Sequence, residues 1–422
     1  MQKIKLISIF FLSIFIIAAL VSADEFQGYD RENIDFVHVS LSNNGNMIIA
    51  GDPERGILAL ITKDGLPVWA YQTGTNISGV AISGNGEYIS CISEEGNVIL
   101  FDNSGNFLWE SSIKGCSPKT VISENGSLCL VYNEDLPDDP YTHTLHVFDE
   151  NGTEFFSKRI PAIDSVGISS DEDYFFAGTS HFTRGSLYSR FGELLWDYQA
   201  RQASFISANP RTSISDDLNL IGIVDLGGVI CLDKSGNEVI NKSLTYLVED
   251  RPAYDRPLVY IDVSGDGSRF VTGSEFIGYC LNDTGSILWS FEFANATSDD
   301  IGSAAISYDG KLVAASCRDN LFVLDENGKI LSKHQIDLPV KRIFISDNGE
   351  VIAGGAQGGI LYLLSEKTNL ISIEIGNLPV KPVPAKIISQ NASPTTRKST
   401  PITTFLPIIA LVITMAFLKQ DW

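Results

Sequence analysis

Residues 83–112 read SGNGEYISCISEEGNVILFDNSGNFLWESS. Apolar runs in this stretch are separated by polar turns that end in glycine. Together with the preceding residues they predict four short strands, at 77–83, 86–93, 97–102 and 106–111. Asn-Gly and Ser-Gly steps supply the positive φ angles that tight hairpins need, and a Ser hydroxyl beside such a turn can bond the backbone and hold the corner.

The same unit recurs along the chain. Its first half, an apolar strand ending in Ser, a polar turn and a second strand, starts at Ser42, Ser83, Ser123, Ser169, Ser215, Ser264, Ser307 and Ser346. The turn residues are Gly45, Gly86, Gly126, Glu172, Leu218, Gly267, Gly310 and Gly349, with spacings of 39 to 49 residues. Its second half is a strand, a turn usually closed by Gly, and an aromatic four residues on. Gly65 leads to Trp69, Gly105 to Trp109, Gly152 to Phe156, Gly192 to Trp196 and Gly285 to Trp289. Ile240, Ser332 and Ser372 replace the aromatic in the fifth, seventh and eighth copies.

Four strands every 40-odd residues is the period of a propeller blade. No helical pattern of useful length lies between Asp24 and Pro379, which argues against a parallel βαβ fold. The expectation is an all-β propeller of about eight four-stranded blades. A seven-bladed ring with one odd unit stays open, as does closure by an added strand from Asp24–Asn33 instead of edge to edge.

A blade must bury both faces against its neighbours. An aromatic on the outer strand can fill the wedge that opens as blades radiate, burying roughly 150–250 Å². That is about 4–6 kcal/mol as an upper bound. Trp69, Trp109, Trp196 and Trp289 are therefore read as structural staples, with a ligand platform as the alternative.

The runs LALITKDGLPVWAYQT (58–73), NVILFDNSGNFLWE (97–110) and GYCLNDTGSILWSF (278–291) resemble the tryptophan-docking repeat of PQQ-like propellers. The Ser-x-Asp/Asn-Gly corner is similar to WD40-like repeats. The resemblance spans about 24 to 379 and implies a propeller fold. One branch of the group, the quinone-dependent dehydrogenases, commonly carries an adjacent Cys-Cys pair, a calcium site and a catalytic Asp. This sequence has no Cys-Cys pair and no position matching a cofactor or calcium residue. The other branch holds protein partners without catalysis, and the chain most resembles cell-surface propellers of archaea.

The ends set the expected compartment. Lys3 and Lys5, the apolar run 7–21 and the small residues Val21-Ser22-Ala23 form a signal-peptide pattern over 1–23. At the other end, the Pro/Ser/Thr-rich stretch 381–401 reads as a spacer, 402–418 as a short transmembrane anchor and 419–422 as a cytoplasmic tail. A sorting signal that is cut and replaced by another attachment is the alternative at this end. Residues 24–380 then form an extracellular propeller.

The formal charge is −22, which becomes −24 once Lys3 and Lys5 are removed. A nucleic-acid partner is excluded on that ground, because phosphate binding needs a basic patch. Cys91, Cys116, Cys129, Cys231, Cys280 and Cys317 show no metal or redox spacing and mostly fall within apolar strands, so buried thiols are expected.

No catalytic, cofactor or metal residue is assigned. Asp262, Ser264 and Asp266 before Gly267 resemble the start of a calcium loop, but the twelfth position is Gly273 where Glu is needed, and a plain turn is favoured. His143 and His146 share one strand at a spacing that puts them on opposite faces. No G-x-S-x-G, H-E-x-x-H or P-loop is present.

The candidate partner loops are the insertion 133–141, with Glu134, Asp135, Asp138 and Asp139, and the stretch 248–257, with Arg251 and Arg256. Asn76, Asn241, Asn295 and Asn391 head the sequons, glycosylation acceptors only if the chain is exported. The function expected is a cell-surface module for a protein or glycan partner, non-catalytic and without cofactor. The alternatives are a PQQ-dependent dehydrogenase-like quinoprotein, and a propeller hydrolase or lyase acting on surface polymers.

Overall fold

The structure, a computed structural model, describes residues 36–384 except 137–138, 162, 164, 180–183, 201–211, 226–227, 245–257, 275, 294–301 and 366–367. The segments 1–23, 402–418 and 419–422, the spacer beyond 384 and the stretch Asp24–Asn33 lie outside the described residues. Among the described residues no helix is long and apolar enough to cross a membrane.

Eight antiparallel sheets occupy 38–72, 77–112, 116–161, 165–199, 212–243, 260–292, 302–335 and 340–374. Each has four antiparallel strands in simple meander order, and the first gains a short fifth strand at its outer edge. They are numbered here as blades 1 to 8. Neighbouring first strands touch each other around the ring, so the first strand of each blade lines the central axis and the fourth lies outermost. Blades 1 and 8 each supply their own four strands, and the ring closes edge to edge. Phe36 bridges to Gln357, and Val37 N donates to Ala356 O at 3.2 Å.

Burial explains the sequence pattern of each strand. Middle strands such as Met47–Asp52 and Ile57–Thr62 are buried almost throughout, because both faces of a blade pack against neighbours. Outer strands such as Phe107–Ser112 alternate between buried and open positions. The core is correspondingly divided into eight clusters, one per junction. One unites Ile49, Leu58 and Trp69 of blade 1 with Ile89 and Phe101 of blade 2; another joins Ile48 and Ala59 to Val351 and Leu361 across the closure.

Each corner between the first two strands is built alike. The Ser side chain is buried, and its Oγ accepts the backbone N–H five residues on, at 3.0–3.1 Å: Met47, Tyr88, Leu128, Tyr174, Leu220, Arg269, Leu312 and Val351 in turn. All eight turn residues have positive φ, including Glu172 (58°) and Leu218 (61°).

The corners are also bonded to one another. Asn43 N donates to Gly84 O, Asn85 N to Glu124 O, Ser170 N to Asp216 O and Asp216 N to Gly265 O. Asp266 N donates to Tyr308 O, Tyr308 N to Asp347 O, and Asp347 N returns to Asn43 O at 2.8 Å. Among the described residues, only the step from blade 3 to blade 4 lacks a backbone acceptor. There Asn125 N donates to the Glu172 carboxylate at 3.2 Å, and Ser127 Oγ donates to its other oxygen. The non-glycine at this turn is thus the link that completes the ring.

Lys381–Pro382 pairs in parallel with the outermost strand of blade 1, Pro67–Gln72, as a fifth strand. Strand pairing therefore runs two residues into the stretch read as spacer. The open edge of an outer strand offers unpaired backbone groups, and the chain leaving blade 8 is close enough to use them.

Candidate interaction face

The meander sends the connections to two ends of the ring. One end carries the Ser corners and the third-to-fourth-strand turns, all short and nearly uniform. The other carries the second-to-third-strand hairpins and the crossings between blades. In sequence, the crossings run from 113–115 and 162–164 at the shortest to 244–259 at the longest, of which 245–257 lie outside the described residues. Function in a repeat protein concentrates where the repeat is broken, so this variable face is the candidate site.

Its largest described feature is in blade 3. Strands Leu128–Leu136 and Asp139–Asp149 have 9 and 11 residues, where the matching strands of blade 2 have 6 each. The insertion 133–141 continues the pleated pairing as far as Leu136 opposite Asp139. Its base is pinned by Asn133, which is buried and donates to Lys114 O (2.9 Å) and Glu134 O (3.0 Å). Asp135 accepts from Arg159 Nε at 2.5 Å and from Thr144 Oγ1. Glu134 lies in register with His143. The Asp139 backbone is in the strand, while Asp138, Arg251 and Arg256 lie outside the described residues.

The axis is charged with opposite sign at its two mouths. His38, Lys119 and Arg342 each precede a corner Ser by four residues, at Ser42, Ser123 and Ser346. Burial pushes His38 down to about 4, aided by the positive charges of Arg342, Lys119 and Lys341, so it is neutral at pH 7. At the corner end, burial raises Asp347 to about 6, with Asp216 and Glu124 adding repulsion. Asp216 is raised by burial and by Glu124 and Asp217. Sequence reading missed both sets, because nothing in a linear pattern shows that residues of blades 1, 3, 5 and 8 meet at one axis.

The other candidates are placed as follows. Trp69, Trp196 and Trp289 donate Nε1 to Asn103 O (3.1 Å), Lys234 O (2.9 Å) and Glu326 O (3.1 Å) of the following blade. Trp109 packs over Gly152 of blade 3, and its buried Nε1 has no partner among the described residues. Asp262 accepts from Ser213 Oγ (3.1 Å) and Ile306 N (2.9 Å), stitching three blades, while Ser264 Oγ donates to Asp266 within its corner (2.7 Å). Among the described residues no three His, Cys, Asp or Glu side chains come together to hold a metal.

His143 is buried and accepts from Ile163 N, whereas His146 bonds Glu154 at 2.9 Å. Five cysteines are buried and Cys116 is half-buried; none is disulfide-bonded. Burial pushes Cys91, Cys231 and Cys280 up to about 12, which makes these thiols poor nucleophiles. Asn76 and Asn241 are exposed; Asn295 and Asn391 lie outside the described residues.

No protein-family model and no curated protein matches the sequence. Among solved structures, the chain is similar to BamB from Moraxella catarrhalis at 14% identity and a TM-score of 0.58, over 78% of this chain and 96% of that one. It is similar to the C-terminal WD40 domain of Sif2 at 12% identity and a TM-score of 0.60, over 78% and 95% of the two chains. It is also similar to the Dos1 propeller at 12% identity and a TM-score of 0.60, over 81% and 94%. At these identities the likeness establishes the fold alone: the chain is an all-β propeller.

Proposed function

We propose that this chain is a non-catalytic interaction module, displayed at a cell surface by its C-terminal anchor, that binds a protein or glycan through the variable face. One observation carries the reading. Connection lengths vary chiefly at one end of an otherwise repetitive ring, and among the described residues the blade 3 hairpin stands out there, paired as strand as far as Leu136 and Asp139. The similarity to BamB and WD40 propellers supports an interaction role, although fold by itself does not assign function.

The test places a photo-crosslinking residue at Glu95, on the variable face beside the hairpin, and separately at Asp309, on the corner face. Discrete crosslinked products from Glu95 and none from Asp309 are expected in intact cells, together with removal of the propeller by external protease. Equal products from both positions, or protection from the protease, would overturn the proposal. So would stoichiometric quinone and calcium in the purified chain, which would make it a dehydrogenase.

A further inference from the structure

Blades 1, 4 and 6 place an aromatic two residues after the docking Trp, at Tyr71, Tyr198 and Phe291. At the junction of blades 1 and 2, Tyr71 stacks on Phe101 at 5.7 Å and donates to Gly105 O at 2.8 Å, which fills the outer wedge. Blade 3 breaks this pattern. Its docking residue is Phe156, and two residues on stands Lys158.

Tyr188 of blade 4 occupies the place of Phe101, and Lys158 Nζ lies over its ring at 4.8 Å from the centroid. An ammonium on a flexible stem fills less of the wedge than a phenol ring. A cavity of about 180 Å³ remains between blades 3 and 4.

The cavity has an apolar floor of Ile160, Ile163, Ala177 and Tyr188, all buried. Its rim carries Lys158, Arg159, Arg184 and Asp197. Arg159 is paired with Asp135, and Arg184 with Asp197 at 2.5 Å, where Ser186 Oγ also donates at 2.7 Å. Lys158 takes part in none of the ion pairs among the described residues. Blade 5 carries Lys242 at the matching position, but there Nζ donates to Gly285 O at 2.7 Å. Lys158 is thus the cation held at the mouth of an apolar cavity with only a π face beneath it.

We propose that this cavity binds a small organic monocarboxylate whose body is a single ring or a branched aliphatic chain. The size fits, since an apolar cavity of about 150 Å³ accepts benzene. The charge fits as well, because a carboxylate at the rim would meet the Lys158 ammonium in a partly water-excluded setting, where charge-assisted bonds are strongest. The inference stands apart from the interaction-face reading and is tested with a small acid alone.

The experiment is ligand-observed NMR titration of the full-length chain with benzoate, and in parallel with uncharged benzyl alcohol. Saturable millimolar binding of both is expected. Lys158→Met keeps the stem and removes the charge. It should weaken benzoate about tenfold and leave benzyl alcohol within about twofold, the size expected for one lost charge-assisted bond. Lys158→Tyr restores the ring present in blades 1 and 4 and should abolish binding of both probes. No saturable benzoate binding, benzoate affinity unchanged in Lys158→Met, or both probes still bound by Lys158→Tyr would each overturn the proposal.

Discussion

At the residue scale, the eight corner Ser residues do the same work in every blade, and departures from the repeat have local causes. Leu218 takes a positive φ that costs a non-glycine about 1–2 kcal/mol. Its side chain is fully buried beside Phe176, Leu187 and Ile221, which offsets that cost. Glu172 accepts the same backbone strain because its carboxylate completes the ring. Asp347 supplies a titration test. Its folded value of about 6 lies above the ordinary 3.8, so between these values the folded chain keeps a proton that the unfolded chain has released. Stability therefore falls as pH rises through that window. Asp347→Asn retains the backbone bonds and removes the buried charge. It should gain about 1 kcal/mol above pH 6, allowing for solvent screening of a half-buried group, and the gain should fade toward pH 4. Urea melts across that range check it; a gain that grows on acidification would refute the assignment. The corner Ser residues make a second case, since Ser83→Ala leaves the Tyr88 N–H without its acceptor and should cost about 1–3 kcal/mol in the same melts.

At the element scale, the repeat was legible because each turn is satisfied within its own hairpin. The sequence showed Gly65 before Trp69 and Gly105 before Trp109 as neighbours in one unit. The structure adds that, in the five blades that carry it, the aromatic packs over the turn glycine of the next blade. Trp69 meets Gly105, Trp109 meets Gly152, Phe156 meets Gly192, Trp196 meets Gly236 and Trp289 meets Gly328. A Cβ added at Gly152 would lie 2.6 Å from the Trp109 ring, whereas one at Gly74 would meet nothing within 4 Å, at the same φ of 78°. Gly74→Ala should therefore cost about 1 kcal/mol from backbone strain alone. Gly152→Ala should cost about 3 kcal/mol, because overpacking against the indole is added. Equal losses in chemical denaturation would show that the docking contact contributes nothing. The candidate site was only partly legible. The insertion 133–141 stood out as extra length, but its pairing as strands, and the hold of Arg159 on Asp135, depend on the outermost strand of the same blade.

At the scale of the whole molecule, closure joins residues some 300 positions apart, as in the Asp347 to Asn43 bond. The fifth strand of blade 1 brings the end of the propeller back to its beginning, and Val383 packs against the core shared by blades 1 and 2. Deleting 381–384 should lower stability by about 1–2 kcal/mol, the worth of a short strand and one partly buried side chain. Hydrogen exchange should then show lost protection at the Tyr71–Gln72 end of the outer strand; unchanged protection there would mean that the added strand is not formed in solution.

The sequence by itself determined the four-stranded unit, its eight-fold recurrence and the corner chemistry, while the choice between seven and eight blades came from the structure. Those features rest on φ preferences and on hydrogen bonds reaching five residues at most, so they are written locally. Only the tertiary structure decided which blade each Trp docks against, how the ring closes, why the two mouths of the axis differ in charge, and where a wedge is left unfilled. Each of these depends on side chains from different blades, brought together only when all eight junctions close at once.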